Sequence, residues 1–140
     1  KGQVCFPGGT CQPADASLLG AALREASEEI GLKAEDVEIL GELDDAATLS
    51  TGYLISPFVA FIPYPYPFKT NQKEVEEIFS TPLSAFLEGK ANFRQGYQTM
   101  DDESSPVYYY EYEGHIIWGA TARILTQFIE LLKPETGALE

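Results

Sequence analysis

Sulfur and imidazole are scarce in this chain: its 140 residues hold two cysteines and one histidine. Cys5 and Cys11 are too few for a disulfide framework, so a reduced, cytoplasmic setting is the simplest reading. Neither has a neighbouring base in sequence, which argues against a thiol nucleophile. His115 stands alone before a strand, so no triad can be built around it and it reads as structural. Cations are scarce too. Nine Lys and Arg face 22 Asp and Glu, for a formal charge of −13. Such a surface repels a phosphate backbone, which excludes nucleic acid as a partner. No apolar run is long enough to span a membrane. No signal peptide, internal repeat or low-complexity tract is visible. The rest is 44% apolar, enough at this length for a real core, and one domain over residues 1–140 is expected.

What is present in abundance is carboxylate, and its placement is specific. Arg24-Glu25-Ala26-Ser27-Glu28-Glu29-Ile30-Gly31-Leu32 follows Phe6-Pro7-Gly8-Gly9. Leu18, Leu19, Ala22, Leu23, Ala26 and Ile30 form one apolar stripe, so the segment reads as a helix laid on a sheet. Asp15 or Ser17 can cap its start, and Gly31 supplies a left-handed stop. On that helix Glu25, Glu28 and Glu29 share a face. Like charges at this spacing repel and weaken a helix. A helix otherwise well built that accepts this cost points to a bound cation, set against the plainer reading of an acidic solvated face. Oxygen-only ligands suit a hard divalent ion such as Mg²⁺ or Mn²⁺. Such an ion works on phosphate groups. At about 100° per residue, Glu28 falls opposite the stripe and Glu29 nearest its edge. Glu29 is therefore expected to be the most enclosed and Glu28 the most open. Glu25 and Glu29 suit firm metal ligands, and Glu28 a ligand or a base.

The string resembles the Nudix box, G-x5-E-x7-R-E-U-x-E-E-x-G-U with U aliphatic. Arg24 to Leu32 match the second half, with Ala26 as a small U. In the first half Asp15 stands where Glu is usual, and eight residues rather than seven precede Arg24. The flanking residues Gly2 to Gly9, Asp15-Ala16-Ser17 and Ile117 to Leu125 look like the coenzyme A diphosphatase branch. That branch often has a basic residue after the double glycine, whereas Thr10-Cys11-Gln12 stand here. A phosphate contact is then absent there or supplied elsewhere. The resemblance implies an α/β/α sandwich with a mixed sheet. Nudix domains have strands before the double glycine, so the chain is expected to lack its N-terminal strands.

The local patterns give an α/β order. Strands are expected over residues 3–6, Val37 to Leu43, Tyr53 to Ile62 (a central strand) and 74–80. Pro63, Pro65 and Pro67 make a rigid loop among aromatics. Pro82 to Leu87 reads as a short helix. Val107 to Tyr112 and His115 to Trp118 read as a hairpin turning at Glu113-Gly114. Ala120 to Leu132 is a terminal helix burying Ile124, Leu125, Phe128, Leu131 and Leu132. Mixed strands with a helix on each side favour a layered sandwich.

The resemblance implies hydrolysis of the diphosphate bond of coenzyme A or acyl-coenzyme A. Products would be (acyl-)4′-phosphopantetheine and adenosine 3′,5′-bisphosphate. Glu25, Glu28 and Glu29 would hold Mg²⁺ or Mn²⁺. Arg24 would orient a catalytic glutamate. Gly8 and Gly9 form a turn whose backbone can approach a phosphate. The base would be Glu28, or Glu74 or Glu77 from the strand after the proline loop; a solvent-facing edge is the plain reading of those two and Glu76. Lys69, Lys73 and Arg94 are the cations available to a 3′-phosphate, and Tyr64, Tyr66 and Phe68 could flank a pantetheine arm. Tyr108, Tyr109, Tyr110 and Tyr112 read first as sheet packing. Other nucleoside diphosphate derivatives, such as ADP-ribose, NADH or a dinucleoside polyphosphate, would use the same box. A non-catalytic nucleotide-binding module is the reading from another class.

Overall fold

Ser17 starts the first helix: its side-chain oxygen accepts the Gly20 N–H at 3.0 Å. Gly31 ends it in a left-handed conformation, φ 69°, and the amides of Gly31 and Leu32 donate back to the carbonyls of Ser27 and Ala26. This double return satisfies carbonyls that a helix end leaves orphaned. The computed structural model describes residues 3–48, 52–100 and 102–133. In chain order the elements are α1 (Leu18–Ile30), a 3-10 turn (Ala34–Asp36), β1 (Glu38–Glu42), β2 (Ala46–Ala47), β3 (Leu54–Ile55), β4 (Phe58–Phe61), α2 (Leu83–Leu87), β5 (Asn92–Met100), β6 (Glu103–Tyr112), β7 (His115–Trp118) and α3 (Gly119–Leu132). They fall into two compact units.

The first unit comprises residues 1–44 and 56–79. It holds α1, the 3-10 turn and an antiparallel ribbon of β1 and β4, with its register shifting between Ile39 and Gly41. Ala21, Ala26 and Ile30 are the buried apolar residues of α1, while Leu18 is 56% exposed, so the stripe is narrower than its sequence pattern. The proline loop packs on itself, with the Tyr66 and Phe68 rings 5.1 Å apart. Tyr66 Oη donates to Asp36 at 2.6 Å and accepts the Lys33 N–H at 3.0 Å, tying the loop to the 3-10 turn.

The second unit comprises residues 45–55 and 80–140. It holds a β2–β3 ladder and a three-stranded antiparallel sheet in the order β5-β6-β7. The β6–β7 turn has Glu113 at φ 48° and Gly114 at φ 83°. Two left-handed residues in succession suit the right-handed twist of a tight hairpin. Phe93, Tyr110 and Ile117 lie opposite one another across the three strands. Tyr110 is buried, meets Phe86 edge-on at 5.4 Å, and shares a 2.6 Å hydrogen bond with Thr126 of α3. Ala122, Ile124, Leu125 and Ile129 form the buried side of α3. Arg123 donates to the Ala47 carbonyl, fixing α3 to β2.

The α/β character holds, and five sequence expectations are corrected. Residues 3–6 form no strand, and neither do 74–80. The stretch expected as one central strand is split into β3 and β4, in different ladders, at Ser56-Pro57. Proline has no N–H for a ladder; here Pro57 instead accepts from Leu43 at 3.0 Å. Among the described residues the strands pair only antiparallel, in three small sheets rather than one mixed sheet. Leu131 and Leu132, expected inside, are 68% and 42% exposed. Among the described residues no helix is long and apolar enough to cross a membrane.

Candidate functional site

The first unit gathers the acidic face of α1 against the glycine turn. Gly8 donates its N–H to Glu29 Oε1 at 3.1 Å. Gly9 lies so near Glu25 that a Cβ there would overlap the Glu25 carboxylate. Both glycines therefore serve the site: one by its amide, the other by having no side chain.

Arg24 organises the rest. Its Nε and Nη2 grip Asp15 Oδ1 and Oδ2 at 2.9 and 3.0 Å. Nη2 also donates to the Thr10 carbonyl at 3.1 Å. Nη1 donates to Glu25 Oε1 at 3.1 Å and to Glu28 Oε1 at 3.2 Å. One planar guanidinium thus holds three carboxylates and a carbonyl, a task suited to its rigid fork of donors. Asp15 is not the helix cap. Its side chain is only 6% exposed, and it also accepts the Gln12 N–H at 2.7 Å. The guanidinium first, and the Gln12 amide second, hold its carboxyl below the usual range. Sequence reasoning gave Asp15 no site role, because its fork geometry with Arg24 depends on how the residues between them turn.

The three glutamates differ in exposure. The Glu28 side chain is 53% exposed and that of Glu25 17%, with Glu29 half-buried. Glu28 is the open one, as its helical angle requires. Loss of hydration raises the Glu29 carboxyl above its ordinary range, the Gly8 amide opposes this, and the charges of Glu25, Glu74 and Glu28 push it further up. Glu29 thus sits where negative charge is under-compensated. Cys5 is also felt there: desolvation first, then the Glu29 charge, raise its thiol. A raised thiol is a poor nucleophile.

Glu74 reaches this neighbourhood from a docked turn. Lys69 N–H donates to the Ile30 carbonyl and Asn71 N–H to the Glu29 carbonyl, each at 2.9 Å. Glu76 and Glu77 are exposed. Arg94, expected in or near a loop, lies on β5 of the second unit, its guanidinium 5.6 Å from the Tyr109 ring centre. Lys69 and Lys73 flank Asn71 and are exposed.

Glu25 and Glu28 turn toward Arg24 while Glu29 turns toward Gly8. As they stand, no three acidic, histidine or cysteine groups among the described residues are gathered to hold a metal ion. The donor set nonetheless fits a hard divalent cation by its chemistry, since it is all oxygen and carries unrelieved negative charge at Glu29.

The family described as NUDIX domain matches residues 1–100. The chain is 38% identical over 133 residues to "Uncharacterized Nudix hydrolase NudL" of Photorhabdus laumondii, spanning 92% of this chain and 68% of that protein. Proteins of the same description from Salmonella paratyphi B and Escherichia coli are each 38% identical, over 131 and 127 residues, spanning 90% of this chain and 65% of theirs. The chain thus covers about two thirds of the length of these relatives.

Proposed function

The chain belongs to the Nudix family, α/β hydrolases of phosphorus-containing anhydrides, and from this we propose that it hydrolyses the diphosphate bond of coenzyme A or an acyl-coenzyme A. The products are 4′-phosphopantetheine, or its acylated form, and adenosine 3′,5′-bisphosphate. The observation that carries the hydrolytic reading is the Glu29 environment: a half-buried carboxylate that accepts the Gly8 N–H and is pressed by the like charges of Glu25, Glu74 and Glu28. The coenzyme A assignment draws on the likeness of residues 2–15 and 118–125 to that branch.

Glu25, Glu28 and Glu29 would hold Mg²⁺ or Mn²⁺, which when bound neutralises diphosphate charge and acidifies water. Arg24 keeps Glu25 and Glu28 in register with each other and with the glycine turn. Gly8 and Gly9 keep the turn beside Glu29 and Glu25 free of side chains, where a phosphate would approach. Glu74 takes the proton of the attacking water as its oxygen bonds to phosphorus and the anhydride P–O bond breaks. Glu28 suits that role less, because its carboxylate is already engaged by Arg24 Nη1. The free, exposed thiols of Cys5 and Cys11 suit a reducing, cytoplasmic setting.

The test is a hydrolysis screen over coenzyme A, ADP-ribose, NADH and diadenosine polyphosphates with Mg²⁺ and Mn²⁺. Coenzyme A should give the highest kcat/KM. A clear preference for ADP-ribose overturns the substrate and leaves the reaction class standing. Binding without turnover of any of them makes the chain a nucleotide-binding module instead.

A further inference from the structure

The segment after the proline loop carries no strand, yet it is tightly specified. Its backbone docks on the last turn of α1 through Lys69 to Ile30 and Asn71 to Glu29. These two carbonyls are among those a helix end leaves without partners. Gly31 allows the approach: a Cβ there would lie 3.1 Å from Lys69 Cβ and 3.2 Å from its backbone nitrogen. Asn71 then builds a turn on this anchor. Its Oδ1 accepts the Lys73 N–H at 3.2 Å, and its carbonyl accepts from Glu74 and Val75 at 2.9 and 2.8 Å. This is how a short polar side chain imitates a backbone turn.

We infer that Asn71 is a positioning residue, whose docked amide and side-chain turn present Glu74 to the carboxylate face of α1. Four hydrogen bonds converge on this one residue: its N–H reaches the helix, its Oδ1 closes the first bend, and its carbonyl holds the next two amides. Glu74 sits three residues beyond a fixed point on the helix end. Its own N–H is held by the Asn71 carbonyl, and Asn71 is held by the Glu29 carbonyl, so two successive backbone bonds link it to the helix end. Lys73, between them, has an exposed side chain and leaves the presentation to the backbone.

The inference rests on the proposed role of Glu74, and a double-mutant cycle separates the two. Asn71→Ala, Glu74→Gln and the pair are assayed with Mg²⁺ on the substrate the screen finds turned over fastest, and Asn71→Asp, which keeps the acceptor oxygen, serves as the conservative variant. Removing a general base costs about 10²–10⁴-fold, so Glu74→Gln should fall in that range. Asn71→Ala should lower kcat by about tenfold or more at nearly unchanged KM, since a misplacement of about 1 Å can cost 10²-fold. Asn71→Asp should recover most of the loss. The double variant should be no slower than Glu74→Gln, because a residue acting through Glu74 has nothing left to position. Amide hydrogen exchange at residues 73–75 should quicken in Asn71→Ala and not in Glu74→Gln. Additive losses in the double variant, or unchanged exchange in Asn71→Ala, overturn the inference while the role of Glu74 stands. A fully active Glu74→Gln overturns that role, and the inference with it.

Discussion

Single residues decide the chemistry of this site, and Glu29 most sharply. Calorimetric titration of Glu29→Gln with Mn²⁺ should show strongly weakened binding; unchanged binding would remove it as a ligand. Without metal the same variant should melt slightly higher, since relief of like charges on a helix gives about 0.2–0.5 kcal/mol per pair and the glutamine oxygen still accepts from Gly8. The pH dependence has a definite sign. The folded Glu29 carboxyl holds its proton above the ordinary value of 4.5. The folded state then binds more protons than the unfolded chain between these two values, and metal-free stability falls as pH rises through that window. Glu29→Gln should flatten this part of a urea-denaturation profile against pH. Asp15 has the opposite sign. Its folded carboxyl lies below the ordinary 3.8, so its contribution is present above that value and lost as pH falls through the folded one. Gly9→Ala separates site from fold. Its methyl meets a movable carboxylate rather than backbone, so stability should change by no more than about 0.5 kcal/mol. Mn²⁺ affinity should drop because Glu25 is displaced. An unaltered calorimetric titration would show that Glu25 has room to spare.

Elements were legible where chain chemistry and local geometry agree. The α1 helix, its Gly31 stop, the β6–β7 turn at Glu113-Gly114 and α3 all follow from residues whose preferences act within a few positions. Strand β5 did not. Asn92 to Met100 is largely polar and carries Gly96, so it has no strand period; β6 pairs with it along its whole length. Residues 74–80 erred in the other direction. Their β-branched and aromatic residues resemble a strand, but Asn71 spends its donors and acceptors on a turn docked to α1. Of the site, the shared face of the glutamates was readable from helix periodicity, and Arg24 and the two glycines from the resemblance of the string to the Nudix box. The Asp15 grip and the docking of Asn71 were not, because each depends on where separate segments meet. The Gly31 contact provides a test at this scale. Gly31→Ala forces a side chain into the left-handed region, costing roughly 1–2 kcal/mol, and crowds Lys69 as well. Its chemical melting midpoint should fall accordingly, and an unchanged midpoint would mean that the helix end has repacked.

The chain as a whole carries a charge of −13, the same sign as a diphosphate substrate. Salt screens such repulsion, with a Debye length of about 8 Å at physiological ionic strength. With metal saturating, kcat/KM should therefore rise as NaCl is added from low salt, through KM rather than kcat. A fall would mean that local cations dominate the approach. Coenzyme A compared with its 3′-dephospho form isolates such a cation: one charged hydrogen bond is worth roughly 1.5–3 kcal/mol, a difference of at least about tenfold. Equal rates would leave Lys69 and Lys73 without that duty.

The docking of residues 69–71 on α1 also bears on how the site comes into being. Glu25, Glu28 and Glu29 are neighbours as soon as one helix forms, on a timescale of about a microsecond or less. Glu74 arrives only when Lys69 meets Ile30, closing an excursion of about 40 residues at an entropic cost of roughly 3 kcal/mol. That excursion includes the β1–β4 ribbon and all of residues 45–55. Nothing local rewards the closure until those intervening strands have paired. The carboxylates proposed to hold the metal are thus an early product of folding and the proposed proton acceptor a late one, so a chain caught part-way would hold charge for a cation before it could turn over a substrate.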